Sequence, residues 1–198
     1  MRQSVGPRHK EVGGVCRRET LVFQYGSNMS TARFNANDRL AGAATAVSLA
    51  RTVKRFRFDF TVWSKRNECA AADIVLDGSG RQIWGVLFSV PTDRISRYTT
   101  PDGTTALDSI EGEGINYLQH RITVLRSDIN GPSTEALTYV VKDRRAGLRT
   151  SLQYARHILC GLREYDAPTD YVQYVIAQIV MNNPDLDEAL RQLGERAA

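Results

Sequence analysis

The sequence has no long apolar run. Its more apolar stretches, such as YVIAQIVM at residues 174–181, reach only about ten residues, whereas a helix needs about 20 to span a bilayer. The N-terminal stretch MRQSVGPRHKEVGGVCRRET is charged and has no apolar core segment, which is unlike a secretory signal. We therefore expect a soluble protein without a membrane partner, and the cytoplasm is its default location.

Cysteine and histidine are scarce, with three residues of each type. The cysteines lie far apart, their number is odd and none forms a CxxC pair, so a disulfide framework is not expected. Reduced thiols in a reducing compartment fit this pattern better. No two histidines stand at a metal-binding spacing, so we expect no metal site. The residues concerned are Cys16, Cys69, Cys160, His9, His120 and His157.

Positive charge is in excess, but it is unevenly distributed. The formal net charge is +4, and residues 1–19 contribute +3 of it through five basic and two acidic side chains. The predicted organisation is a basic flexible tail over 1–19 and a single domain over 20–198 that ends in a helical segment. Because the remainder of the chain is nearly neutral, we expect no nucleic-acid partner.

The order of the predicted elements indicates an α+β fold. Apolar, β-prone runs predict strands at 20–25, 53–62, 69–76, 81–90, 117–126 and 135–142. Helical periodicity takes over from Ser151, with helix starts marked by Pro168 and Pro184. We expect a largely antiparallel or mixed sheet that curls toward a small barrel, with helices packed on it. The turn Asp77-Gly78-Ser79-Gly80 predicts a hairpin between two of the strands.

The first predicted strand stops abruptly within TLVFQYGSNMST, residues 20–31. Its end at Gly26-Ser27-Asn28 has two interpretations. One is an ordinary turn, in which Asn28 or Ser30 caps the following helix. The other is a loop whose backbone N–H groups are held open for an anionic ligand. The residues alone do not separate these two interpretations.

A second candidate lies in LDSIEGEG, a short predicted helix that Gly112 ends. Glu111 falls in its last turn, where the helix dipole and partial burial both raise a carboxyl pKa. A raised pKa suits a proton shuttle near neutral pH. The alternative is a solvated glutamate at a helix end. Asp108 and Glu113 are expected at the surface or as capping residues.

Several segments, taken in order, resemble γ-glutamylcyclotransferases and their AIG2-like relatives. They are FQYGSNM, RFRFDF, IWGVLFSV, LDSIEG followed by Tyr117 and RITV, and SLQYARHILCGL, and they cover about residues 20–180. The resemblance implies a small mixed β-barrel with flanking helices and no cofactor. Asn28 differs from the Tyr-Gly-Ser-Leu that is typical of the glutathione-specific branch.

The resemblance also implies an activity, namely release of 5-oxoproline from a small γ-glutamyl amino acid or γ-glutamyl amine. This is an acyltransferase reaction that cleaves an amide by cyclisation, and Glu111 would be the catalytic carboxylate. The substrate-binding residues it implies are Tyr25, Gly26, Ser27, Asn28, Tyr117 and Tyr154. From the residues alone, the tyrosines can equally be core aromatics with a bonded hydroxyl. A non-catalytic protein of the same fold that binds a small acid or a partner protein is the alternative, and the oligomeric state is not specified.

Overall fold

The computed structural model of the protein describes residues 18–98 and 105–195, with side chains placed as far as residue 192. The predicted tail lies outside the described residues except for its last two positions, and Glu19 already belongs to the first strand. The flexible tail therefore stays a prediction. The expectations for His9 and Cys16, which lie within it, also stay predictions.

A closed five-stranded barrel forms the centre of the fold. Its strands run in the order β1-β5-β2-β6-β7, and β3 and β4 form a separate two-stranded sheet. The bounds are β1 Glu19–Gln24, β2 Thr45–Thr52, β3 Phe56–Ser64, β4 Cys69–Leu76, β5 Trp84–Pro91, β6 Tyr117–Arg126 and β7 Thr134–Val141. The parallel pair β1–β7 closes the barrel through Val22 and Leu137, and the other barrel pairs are antiparallel. The predicted mixed barrel is confirmed.

Helices flank the barrel, as predicted. Their bounds are α1 Thr31–Phe34, α2 Leu107–Glu111, α3 Leu152–Glu164, α4 Thr169–Asn182 and α5 Asp187–Glu195, with 3-10 turns at Ser27–Met29, Thr92–Arg94 and Pro184–Leu186. The described part of the chain contains no helix that is long and apolar enough to cross a membrane.

The core fixes the end of β1 from two sides. Gly85 of β5 lies so close to β1 that a Cβ there would fall 2.3 Å from the Gln24 carbonyl oxygen. Gly161 of α3 lies against the turn at Ser27–Met29, and a Cβ there would fall 2.5 Å from the Met29 Cβ. Since neither glycine leaves room for a side chain, the turn after β1 is held firmly against α3.

Two strand predictions are wrong. The turn at residues 77–80 does not form a hairpin, because β4 pairs with β3 whereas β5 pairs with β1 and β2. The turn instead carries the chain from the small sheet into the barrel. The strand predicted over 53–62 begins only at Phe56, and the unpredicted β2 occupies 45–52. β2 reads TAVSLART, which has neither regular alternation nor a strong β-prone run.

Candidate functional site

Glu111 is the last residue of α2, which ends as predicted at Gly112 in a left-handed conformation with φ 67°. Asp108, at the start of this helix, is buried rather than at the surface, so that prediction is wrong. Its carboxylate accepts hydrogen bonds from the Tyr139 hydroxyl at 2.8 Å and from Gln119 Nε2 at 2.7 Å. These bonds tie α2 to the two strands β6 and β7 and so fix the direction in which Glu111 leaves the helix.

The turn after β1 is buried and short. Ser27 and Asn28 are only 7% and 6% exposed, and the Met29 N–H donates to the Gly26 carbonyl at 3.1 Å. Among the described residues, no acceptor pairs with the backbone N–H of Ser27 or Asn28. Neither predicted helix cap forms. Ser30 stands at the N-cap of α1, but its side chain makes no hydrogen bond to the helix, and the Asn28 side chain bonds to Glu111 instead.

The Asn28 side chain points to Glu111. Its Nδ2 donates to Glu111 Oε1 at 2.9 Å, and Gln24 Nε2 donates to the same oxygen at 3.2 Å. The side-chain amide oxygen Oδ1 of Asn28 accepts from Arg39 Nη1 at 2.7 Å, which orients the amide so that its NH2 group faces the carboxylate. A series of hydrogen bonds thus runs from Arg39 through Asn28 to Glu111.

Burial raises the pKa of the Glu111 carboxyl above its ordinary value of 4.5. The hydrogen bonds from Asn28 and Gln24, and then the positive charges of Arg39 and Arg33, act in the opposite direction. Desolvation is the largest of these effects, so the group is a stronger base than a solvated glutamate. Burial also lowers the pKa of the Arg39 guanidinium to about 10, which leaves it charged at neutral pH.

Three tyrosines surround this carboxylate. The Tyr117 hydroxyl donates to the Ala72 carbonyl at 2.8 Å, and the Tyr154 hydroxyl accepts from the Ala72 N–H at 3.1 Å. The Tyr25 hydroxyl donates to the Tyr139 carbonyl at 2.6 Å. Burial raises the pKa of all three hydroxyls, so they are neutral, and these bonds hold them in place.

A cavity of about 510 Å³ opens beside Glu111. It adjoins a narrow recess of about 30 Å³, lined by Gln24, Tyr25 and Gly26 among others. The structure brings all seven predicted residues to this one place: Ser27, Asn28, Glu111, Tyr117 and Tyr154 line both spaces, and Tyr25 and Gly26 line the recess. Glu111 therefore lies beside a cavity and does not project into bulk solvent.

Two residues that contact this site, Gln24 and Arg39, were not predicted. Gln24 ends the apolar strand β1 and is only 7% exposed. A glutamine at the end of an apolar run is a signal in the sequence that could have pointed to this polar contact. Arg39 is 5% exposed and lies beyond α1, with no local pattern that links it to Asn28. Only the folded chain brings these side chains together.

Among the described residues, no group of three or more histidine, cysteine, aspartate or glutamate side chains is placed to hold a metal ion. A cavity of about 610 Å³ between Arg51, Trp84 and Tyr171 is larger, but it contains none of the predicted residues and no glutamate. The residues that the sequence singles out thus lie at the cavity beside Glu111 and not at this one.

The fold and this site define a small barrel protein with one carboxylate at the side of a cavity. A model of the AIG2-like family matches residues 82–175, which include Glu111, Tyr117 and Tyr154. The match confirms the predicted resemblance to AIG2-like proteins over this segment. The turn after β1 lies outside it. No curated protein matches the sequence.

Solved structures show the same fold. A γ-glutamyl cyclotransferase aligns with a TM-score of 0.65 at 21% identity, over 80% of this chain and 86% of that one. An uncharacterized human protein, loc79017, aligns with a TM-score of 0.65 at 23% identity, over 79% and 86%. YkqA from Bacillus subtilis gives 0.65 and 23% over 82% of this chain but only 55% of its own. These alignments confirm a γ-glutamylcyclotransferase-like fold.

Proposed function

We propose that the protein is a γ-glutamylcyclotransferase-like enzyme that releases 5-oxoproline from a γ-glutamyl amino acid or amine. One observation carries this proposal. The Glu111 carboxylate accepts from Asn28 of the turn after β1 at 2.9 Å and lines a cavity of about 510 Å³ together with that turn. This arrangement supports the proposal, because the reaction requires a proton-accepting group beside the space that holds a small acid.

The reaction takes place within the substrate. Glu111 takes a proton from the α-ammonium group, and the freed amine attacks the γ-carbonyl carbon of the same molecule. A new C–N bond closes a five-membered lactam, and the C–N bond of the original amide breaks. The attacking nitrogen gives up two protons and the leaving nitrogen gains two, so Glu111 carries protons between them and is regenerated. Holding the substrate in its bent conformer removes much of the entropic barrier.

The surroundings of Glu111 suit both halves of this proton transfer. The raised pKa brings the carboxyl nearer to neutral pH, where it can both accept and return a proton. The N–H groups of Ser27 and Asn28 can hold the α-carboxylate or the oxyanion that develops at the γ-carbonyl. Tyr117 and Tyr154 already hydrogen-bond to Ala72, and we assign them to the cavity wall.

The test is to incubate the purified protein with a panel of γ-glutamyl dipeptides and γ-glutamyl amines and to measure 5-oxoproline by mass spectrometry. We expect product from at least one compound. Thermal stabilisation by the same compounds without product, equal in the wild type and in Glu111→Gln, would contradict the proposal. That result would instead support a non-catalytic protein that binds a small acid.

A further inference from the structure

The cavity beside Glu111 carries more positive charge than a γ-glutamyl group needs. Four cationic side chains line it, and Glu111 is the one carboxylate among the described lining residues. The cations are Arg39, Lys65, Arg66 and Arg145. Such a concentration of one charge at a recess favours an anionic ligand and repels a cationic one.

These cations fall into an inner and an outer set. Arg39 is buried and bonded to Asn28, so it belongs to the inner end with Glu111. Lys65 and Arg66 lie in the exposed turn between β3 and β4, and Arg145 follows β7. The Arg145 N–H donates to the Thr61 carbonyl of β3 at 2.8 Å, which brings its segment alongside β3.

The outer cations have little compensating negative charge. Among the described residues, neither Lys65 nor Arg145 forms an ion pair with a carboxylate. Arg66 lies 3.5 Å from Asp38, and both of these side chains are well exposed to water. An exposed pair of this kind is weak, so Arg66 can exchange its partner for a ligand at small cost.

We propose that Lys65, Arg66 and Arg145 form a subsite for an acidic leaving residue, and this rests on the proposed cyclotransferase function. The inner end, with Arg39 and the turn after β1, takes the glutamyl group. The outer cations then face the amine half, which we assign to an amino acid that carries an acidic side chain beside its own carboxylate. A cationic amine half, such as lysine or a polyamine, is disfavoured by like-charge repulsion.

The experiment compares three dipeptides that differ only in the second side chain: γ-glutamylglutamate, γ-glutamylglutamine and γ-glutamyllysine linked through its α-nitrogen. Glutamate and glutamine have the same shape, so their kcat/KM ratio isolates the charge. We expect glutamate to exceed glutamine by about tenfold, with lysine lowest. The difference should lie mainly in KM and shrink as salt is added, because exposed charges are screened.

A double variant, Lys65→Gln with Arg145→Gln, should reduce the glutamate-to-glutamine ratio to within about twofold. The control is Lys54→Gln with Arg156→Gln, which removes the same charge at exposed positions outside the cavity and should leave the ratio unchanged. Equal rates for the three dipeptides, a preference for lysine, or an unchanged ratio in the double variant would each overturn the subsite. No 5-oxoproline from any γ-glutamyl compound would contradict the proposed function itself, which is a separate outcome.

Discussion

Asp73 lies in β4 and Glu111 at the end of α2, and the partners of these two carboxylates differ. Asp73 is fully buried and accepts from Arg144 Nε at 2.6 Å, from Thr61 Oγ1 at 2.9 Å and from the Val141 N–H at 3.2 Å. Glu111 accepts from two neutral amides on a single oxygen, and one of these amides, that of Asn28, accepts in turn from Arg39.

The difference between these partners fits a structural role for Asp73 and the proton-transfer role that we propose for Glu111. An ion pair with further hydrogen bonds holds the Asp73 carboxylate in place and joins β4 to the end of β7. The hydrogen-bond donors to Glu111 are neutral amides, and burial raises the pKa of its carboxyl. Glu111 also lines the cavity, so its carboxyl can exchange a proton with a bound molecule.

The largest expected effect is on catalysis by Glu111→Gln. This variant keeps the shape of the side chain and removes the base, so 5-oxoproline formation should fall by about a hundredfold or more. Circular dichroism should show an unchanged fold. The matched control is Glu113→Gln, two residues further on, where the native carboxylate pairs with Arg97 at 2.8 Å. Comparable losses in both variants would remove the special role of Glu111.

The second prediction concerns stability and not activity. Asp73→Asn should lower the free energy of unfolding by about 1–3 kcal/mol, because it breaks a charged hydrogen bond at a fully buried position. For a chain of this size each kcal/mol corresponds to about 2–4 °C in Tm. The kcat of the folded fraction should change little. A variant that keeps its Tm but loses its activity would reverse the roles that we assign to Asp73 and Glu111.

The third prediction concerns Arg39. Because the Arg39 charge lowers the pKa of Glu111, Arg39→Met should raise that pKa further. The proposed reaction requires the charged Glu111 carboxylate, so the acidic limb of the pH profile of kcat/KM should move to higher pH. Arg39→Lys keeps the positive charge and should move the acidic limb less. A profile that stays in place while Tm falls would show that Arg39 acts only on folding.

The smallest expected effect is on the pH dependence of stability. The folded-state pKa of Glu111 lies above its ordinary value of 4.5, so its contribution is fully present below pH 4.5 and is lost as pH rises through the folded-state pKa. Glu111→Gln avoids that loss and should have a higher Tm than the wild type at neutral pH. The two Tm values should converge near pH 4. A difference that is the same at both pH values would contradict the raised pKa.

The sequence predicted the local features of the site well. Gly112 marks the end of α2 because a left-handed residue was needed there, and Gly26 and Asn28 mark the end of β1. Strands β4, β6 and β7 and the three late helices follow from periodicity and turn residues. These signals depend on residues that are close in the chain, so they can be read before the fold is known.

Strand partners and buried polar contacts could not be read in this way. The residues at 77–80 suit a turn whether it joins two paired strands or connects two sheets. Only packing decides that β5 pairs with β1 and β2 instead of β4. The burial of Asp108 depends on donors from β6 and β7. The contact between Asn28 and Glu111 joins segments that are 83 residues apart.

The most direct test of the account asks which nucleophile attacks the γ-carbonyl carbon. Wild-type protein and Glu111→Gln are incubated with γ-glutamylglutamate in water enriched in the heavy oxygen isotope, and the products are analysed by mass spectrometry. Internal attack by the α-amine predicts unlabelled 5-oxoproline from the wild type and little from the variant. Labelled glutamate, or equal 5-oxoproline from both proteins, would contradict a Glu111-dependent cyclisation.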